Sequence, residues 1–92
     1  MTDERLPETV TESIQYLLSK MDEVNQNELK NMKREDIISL HRTYGMSVRN
    51  SLGLWGSNAK LRSDPEITGL FPDDASHYII ERMWDFLHAQ DP

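Results

Sequence analysis

Three histidines and the aspartates near two of them are the side chains in this sequence best suited to acid-base catalysis or metal binding. The set comprises His41, His77, His88, Asp73, Asp74 and Asp85. Asp73 and His77 lie one helical turn apart, so the two side chains could share a ligand on a helix. The sequence contains neither an H-x-x-x-H nor an H-E-x-x-H spacing, however. We therefore predict no metal site and no cofactor.

Enzymatic activity is disfavoured on similar grounds. His41 lies on the apolar stripe of a predicted helix, where a core histidine is a commoner finding than a catalytic base. The sequence has neither a phosphate-binding glycine loop nor a G-x-S-x-G nucleophile turn, and helix termination explains the glycines of segment 53–56. We predict no catalytic residues, and a hydrolase that uses His41 or His77 ranks last among the functions considered.

Arg49 is the polar residue with two competing interpretations. It lies one turn before the predicted end of a helix, where it can pair with Asp73 or Asp74 and join that helix to the start of the last one. This structural role is the favoured interpretation. The alternative is an anion or nucleotide site, in which the guanidinium binds a phosphate and an indole stacks on a base. Its residues would be Arg49, Asn50, Trp55 and Asn58.

The charges are unevenly distributed along the chain, whose net charge is -6. Segment 1–28 has seven acidic and two basic residues, segment 29–62 has two and seven, and segment 63–92 has seven and one. Nucleic-acid binding needs clustered Lys and Arg, so no direct nucleic-acid partner is expected. The favoured interpretation is that the basic middle segment packs against acidic neighbours. A basic patch for an anionic ligand is the alternative.

The composition predicts one small domain that spans residues 1–92. A chain of this length, 37% hydrophobic, buries roughly 60 to 65% of its unfolded surface. The absence of cysteine excludes disulfides and thiolate metal sites. No segment approaches the length of a membrane span, and the amino terminus does not resemble a signal peptide. We expect a soluble, cytoplasmic protein with no membrane partner, and homo-oligomerisation is left open as a further source of stability.

Two helices are predicted in the first third of the chain. Thr9 and Glu12 match a T-x-x-E capping box, and apolar residues then recur on one face. The first helix is therefore predicted over about 9–21, after a frayed segment 1–6. A weaker pattern over 22–32 begins with an aspartate that can cap a second helix.

A third, central helix is predicted from about Arg34 to Leu52. Ile38 and Met46 are expected to broaden its buried surface beyond the main apolar stripe. Gly45 costs about 1 kcal/mol relative to Ala inside a helix. We therefore expect it either to permit a close helix crossing or to make room for the indole of Trp55.

The chain then turns and ends in a last long helix. Gly53 suits the left-handed position just past a helix end, and a short helical turn is expected after Trp55. Segment 63–72 contains two prolines and a glycine, which predicts a surface loop. The loop should be pinned to the core by Ile67, Leu70 and Phe71. The last helix should begin near Asp73, with a buried face formed by Ala75 or Ser76, Ile79, Ile80, Met83, Trp84 and Leu87.

These elements define an all-α single domain of about four helices. Two motifs also resemble a small bacterial family of uncharacterised all-helical domains: G-M-x-x-R-N-x-x-G-L-W, which begins at Gly45, and P-D-D-x-S, which begins at Pro72. The likeness extends over about Leu6 to Leu87. It implies a bacterial or phage-associated helical domain with no established activity, and it supplies no catalytic residues.

The function predicted from these observations is that of a non-enzymatic, acidic module that binds another protein. Acidic faces on the first and last helices would contact the partner, with an exposed indole as an anchor. The contact residues would be Glu8, Glu12, Glu81, Asp85 and Trp55. An inhibitor or immunity-type protein in bacterial or phage conflict fits this description. The alternative function is the binding of a small anionic ligand by Arg49, Asn50, Trp55 and Asn58.

Overall fold

The structure is a computed structural model that describes residues 6–41, 44–54, 56 and 58–89, with the backbone alone at His41. Within these ranges it contains five α-helices, one 3₁₀ helix and no strand. The elements are α1 (Val10–Lys20), α2 (Glu23–Asn31), the 3₁₀ helix (Arg34–His41), α3 (Tyr44–Leu52), the short α4 (Ala59–Arg62) and α5 (Pro72–Ala89). The predicted all-α fold is confirmed, including the short helical turn that follows position 55.

The first two helices begin at the predicted caps. The Thr9 hydroxyl accepts a hydrogen bond of 3.1 Å from the Glu12 N–H, and the Glu12 carboxylate accepts one of 3.1 Å from the Glu8 N–H. The Thr9 half of the predicted capping box is confirmed, whereas the Glu12 carboxylate accepts from Glu8, one residue before the N-cap residue that a capping box uses. Asp22 caps α2 by accepting 2.8 Å from the Asn25 N–H.

The prediction of one continuous helix from Arg34 to Leu52 is wrong. Residues 34–41 form a 3₁₀ helix, and α3 begins at Tyr44. A 3₁₀ helix has three residues per turn, so it aligns Ile37 and Leu40 on the inner side and turns Ile38 outward. Ile38 is 63% exposed and Met46 is 53% exposed, which corrects the expectation that they broaden the buried surface.

Gly45 lies where α3 and α5 approach each other. A Cβ atom at this position would be 3.2 Å from Nη1 of Arg49 and 3.7 Å from Oγ of Ser76. The 3.7 Å distance to α5 is ordinary van der Waals contact, so the glycine mainly leaves room for the Arg49 guanidinium, which bonds to Ser76 of α5. The other predicted purpose, room for the indole of Trp55, concerns a residue outside the described part of the chain.

The end of α3 is a glycine cap. Gly53 has φ 71°, and the Leu54 N–H donates a hydrogen bond of 3.0 Å to the Arg49 carbonyl. This six-to-one bond is the main bond of a Schellman motif. Leu54 is fully buried after the turn.

Helix α5 is the centre of the core. It packs against α1, α2, α3 and the 3₁₀ helix. Its predicted inner face is confirmed: the buried residues are Ala75, Ser76, Ile79, Ile80, Met83 and Leu87. Trp84 is half-buried and packs against this core. The last helix thus provides the scaffold on which the other elements are positioned.

The segment between α4 and α5 is pinned by Ile67 and by a polar residue. Ile67 is buried as predicted, but Phe71 is 77% exposed and Leu70 is also exposed, so their predicted anchoring role is wrong. Asp64 takes that role instead. Its carboxylate accepts hydrogen bonds from the Val10 N–H at 2.8 Å and from the Glu66 N–H at 2.9 Å. The hydrogen bonds that Asp64 accepts fix the path of this loop. The pattern of apolar residues in the sequence does not predict them.

Candidate functional site

Arg49 is buried between α3 and α5, with 5% of its surface exposed. Its Nη1 donates a hydrogen bond of 3.0 Å to Oγ of Ser76, and its Nε lies 3.4 Å from Oδ1 of Asp73. Ser76 in turn donates 2.9 Å to the Asp73 carbonyl. The favoured interpretation, that Arg49 joins the third helix to the start of the last, is confirmed for Asp73.

Asn58 is also directed into the fold. Its side-chain amide donates to the carbonyls of Pro7 at 2.7 Å and Leu52 at 2.9 Å, and its Oδ1 accepts from the Leu61 N–H at 3.2 Å. Both amide hydrogens are therefore used within the protein.

Arg49 and Asn58, which belong to the alternative anion site, thus make contacts within the fold. The third residue of that site, Asn50, has an exposed side chain. Trp55 lies outside the described residues, both as a ligand contact and as a partner anchor. The anion site stays a prediction, and Asn58 would have to give up hydrogen bonds to serve it.

Bases of the middle segment pair with acids of the two flanking segments. Arg34 contacts Asp85 at 2.6 Å and Glu81 at 3.6 Å, and Lys60 contacts Glu8 at 3.2 Å. With the pair between Arg49 and Asp73, these contacts confirm the favoured interpretation of the charge pattern. Glu81 and Asp85 therefore share their charge with an arginine, which weakens their case as a free acidic face for a partner.

Trp84 lies where α5 contacts the junction between α2 and the 3₁₀ helix. Its indole Nε1 donates 2.8 Å to the Met32 carbonyl, and the Arg34 guanidinium lies 4.9 Å from its ring centroid. The ring of His88 lies 4.0 Å from that of Trp84, and its Nε2 is 2.6 Å from the Lys30 carbonyl oxygen. These are packing and anchoring contacts, so Trp84 and His88 hold α2 against α5.

The other residues that the sequence suggested for acid-base catalysis or metal binding are spread over the surface. Nε2 of His77 lies 3.6 Å from Oε2 of Glu81, one turn along α5. No cluster of three or more potential metal ligands occurs in the described ranges. The side chain of His41 lies outside those ranges.

Sequence reasoning missed an open cleft of about 620 Å³ between α1, α2, the 3₁₀ helix and α3. Its apolar lining includes Leu17, Met21, Leu29, Met32 and Leu40, and its polar lining comes from Lys20, Asn25, Glu28, Ser47 and Ser51. A space of this size can hold a small molecule or several side chains of a partner. Methionines in such a surface adapt to differently shaped apolar groups.

Two tyrosines complete the lining of the cleft. Burial raises the pKa of the Tyr44 hydroxyl above its ordinary value, so this residue is neutral at physiological pH. Tyr16 is half-buried, and the ammonium of Lys20 lies 5.3 Å from its ring centroid. In the sequence, the cleft is indicated only by the spacing of Tyr16 and Lys20 beside the buried stripe of α1. That spacing does not show which elements form the opposite wall of the cleft.

A shallower cavity of about 370 Å³ adjoins the cleft at Tyr16, which lines both. The other residues of this cavity are Leu6, Pro7, Glu8 and Glu12. Two of the acidic residues predicted to bind a partner, Glu8 and Glu12, therefore lie next to the cleft. The structure does not place Glu81 or Asp85 in either lining.

The cleft combines an apolar floor with a few polar groups. Its lining offers hydroxyl groups, one amide, one ammonium and one carboxylate. Pockets that hold ligands in other proteins are typically lined in this way, by apolar side chains with a small number of polar groups.

The fold and cleft define a small all-α domain, and no helix in its described ranges has the length and apolar character to cross a lipid bilayer. The chain belongs to a family described as a domain of unknown function, DUF6794, whose model matches residues 6–87. The expected membership of an uncharacterised family is thereby confirmed. No curated protein and no solved structure matches the chain.

Proposed function

We propose that this domain is a non-enzymatic protein-binding module that receives an apolar segment of another protein in the cleft between α1, α2 and α3. The observation that carries the proposal is the cleft itself, an open surface lined by leucine, methionine and tyrosine side chains. Apolar surface that stays exposed in a folded domain commonly marks an interaction site. Tyrosine and methionine are also enriched where proteins meet.

The charges around the cleft favour a protein over a small anion. The positive group that lines it, Lys20, stacks on Tyr16, and the chain has a net charge of -6. The buried cation Arg49 already faces Ser76 and Asp73. An anionic ligand would therefore meet one ammonium and one carboxylate on a protein of net negative charge, whereas an apolar segment with a polar border meets matching groups.

Glu8 and Glu12 are the predicted contact residues that support this site, because they line the adjoining cavity. An inhibitor or immunity-type protein in bacterial or phage conflict, acting in the cytoplasm, is the narrower form of the proposal. Such a role needs a binding surface and no catalytic group, which is the chemistry that the cleft offers.

The test uses two variants of α2 that differ only in where a bulky side chain is placed. Asn25 is exposed and lines the cleft, whereas Asn27 is exposed on the same helix outside the lining. Asn25→Trp should fill the cleft, and Asn27→Trp is the matched control. A photoreactive amino acid at Ser51, on the cleft border, should cross-link a partner protein in host cells.

The cross-link should persist in the Asn27→Trp protein and be lost in the Asn25→Trp protein, with both variants as stable as the parent. Equal cross-linking of both variants would show that the cleft is not the binding surface. A cross-link that forms only to small molecules would also overturn the proposal.

A further inference from the structure

One face of α1 runs along both cavities. Glu12, Tyr16 and Lys20 follow each other at intervals of four residues; Glu12 lines the shallow cavity, Lys20 lines the cleft and Tyr16 lines both. Residues four apart lie on the same side of a helix. The eight steps from Glu12 to Lys20 correspond to about 12 Å along the helix axis. The two cavities therefore form one continuous groove, called here the α1 groove.

The length of the α1 groove matches the recognition face of a helix. Apolar residues at positions i, i+4 and i+7 of a helix span about 10.5 Å, and such a stripe is the usual anchor set of a helix bound in a groove. A segment that binds by strand addition would instead need the edge of a sheet to pair with. The described ranges contain no strand, so they offer no such edge.

The charges that line the α1 groove are mainly negative. The Glu8 carboxylate is paired with Lys60 at 3.2 Å, and the carboxylates of Glu12 and Glu28 then oppose one ammonium, of Lys20. The ammonium lies against the Tyr16 ring, and the chain as a whole carries a charge of -6. A bound segment with basic residues beside its apolar stripe is attracted by this border, and an acidic one is repelled.

From this length and charge we infer that the occupant of the α1 groove is a short basic amphipathic helix of a partner protein. Its apolar residues at i, i+4 and i+7 lie on the floor around Tyr16, Leu17 and Leu29, and its Lys or Arg side chains face Glu12 and Glu28. The inference rests on the proposed protein-binding function and adds the conformation and charge of the partner segment.

Two synthetic helical peptides serve as probes of this inference. Both are about 18 residues long, which gives five helical turns, and both carry leucine at the same i, i+4 and i+7 positions. One has lysine at the remaining positions and the other has glutamate. The Leu-Lys peptide should bind at least about tenfold more tightly than the Leu-Glu peptide. In NMR titrations of the isotope-labelled domain, the amide shifts it causes should centre on Tyr16, Leu29 and Tyr44.

Matched variants separate the groove from the overall negative charge of the protein. Glu28→Lys and Glu35→Lys make the same change in net charge, and both residues are exposed, but Glu35 does not line the groove. Glu28→Lys should lower the affinity of the domain for the Leu-Lys peptide about fivefold. Glu35→Lys should leave its affinity within a factor of two. Asn25→Trp should abolish the groove-centred shifts.

Equal affinities of the two peptides would overturn the inferred basic charge of the bound segment. Equal effects of Glu28→Lys and Glu35→Lys on the affinity would show that the Leu-Lys peptide is held only by non-specific charge attraction, which would also overturn it. Absence of groove-centred shifts with either peptide would overturn the helical conformation. If the Ser51 cross-link still depended on Asn25 in those cases, the protein-binding function would stand while the inference failed. Loss of that dependence would overturn both.

Discussion

The carboxylate of Asp64 accepts a hydrogen bond of 2.8 Å from the backbone N–H of Val10, at the first turn of a helix 54 residues earlier in the chain. The N–H groups of a first helical turn lack intrahelical partners and carry a partial positive charge. Asp64 satisfies one of them and places a negative charge at the positive end of α1. The Asn58 amide, bonded to the Pro7 carbonyl, supports the same junction.

Asp64→Ala should lower the free energy of unfolding by about 1 to 2 kcal/mol, because α1 loses a cap contact and the loop loses its bond to the Glu66 N–H. Asp64→Asn should lower the free energy of unfolding by less, since an amide keeps one acceptor oxygen where the carboxylate uses two. Urea denaturation of the three proteins measures the order. An Asp64→Ala protein as stable as the parent would contradict the role of Asp64 as an anchor.

Arg49→Ala should destabilise the fold by about 2 kcal/mol, since it removes a buried side chain and leaves the Ser76 hydroxyl without the donor at 3.0 Å. Arg49→Met keeps the aliphatic stem and should recover part of the loss. Thermal denaturation compares the two variants. A stable Arg49→Ala protein that loses phosphate or nucleotide binding would favour the alternative anion site instead.

Gly45→Ala tests whether Gly45 makes room for the Arg49 guanidinium between α3 and α5. Alanine favours a helix by about 1 kcal/mol relative to glycine, but the new Cβ would lie 3.2 Å from Nη1 of Arg49, which is held by Ser76. The substitution should therefore destabilise the parent and stabilise the Arg49→Ala protein, where that atom is absent. Unfolding free energies of the four proteins form a double-mutant cycle. If Gly45→Ala changed the free energy of unfolding in the same direction in the parent and in the Arg49→Ala protein, a steric role for Gly45 would be ruled out.

Tyr78 and Tyr44 make the fold sensitive to high pH. The hydrogen bond of 2.6 Å that the Tyr78 hydroxyl donates to the Glu66 carboxylate raises the pKa of Tyr78, and burial raises that of Tyr44. A raised pKa means that the folded state holds the proton more tightly, so this stabilisation is present below the ordinary tyrosine pKa near 10 and is lost as pH rises beyond it.

Tyr78→Phe should therefore reduce the steepness with which stability falls above pH 10, by removing one of the two linked protons. Glu66→Gln should bring the titration of Tyr78 back toward its ordinary value. Tyrosinate absorbance and urea denaturation at several alkaline pH values follow both effects. An unchanged stability profile in the Tyr78→Phe protein would show that this hydroxyl does not contribute.

Local patterns were sufficient for the elements whose signals lie within one or two turns. The caps at Thr9 and Asp22 each depend on two residues three apart, and both form as predicted. The same holds for the inner face of α5 and for Gly53, whose positive φ ends α3. Such features depend on backbone geometry that each short segment has by itself.

The expected continuous third helix shows where local patterns fail. The apolar spacing of residues 34–52 suits an α-helix, but Ile37 and Leu40 face the core in a 3₁₀ segment while Ile38 is exposed. The position of Trp84, which binds the Met32 carbonyl and lies beside Arg34, fixes the start of that segment from another helix. Packing between distant residues thus overrides a periodicity that is compatible with two kinds of helix.

The sequence by itself determined the all-α class, the caps, the core face of the last helix and the opposite charges that let Arg49 pair with Asp73. Only the tertiary structure decided that Asp64 caps α1, that Phe71 is exposed and that an apolar cleft remains open beside Tyr16. The physical reason is that caps and faces follow from the chain within a few residues. A cleft is instead the space left between elements, and its shape depends on how α1, α2 and α3 are placed on α5.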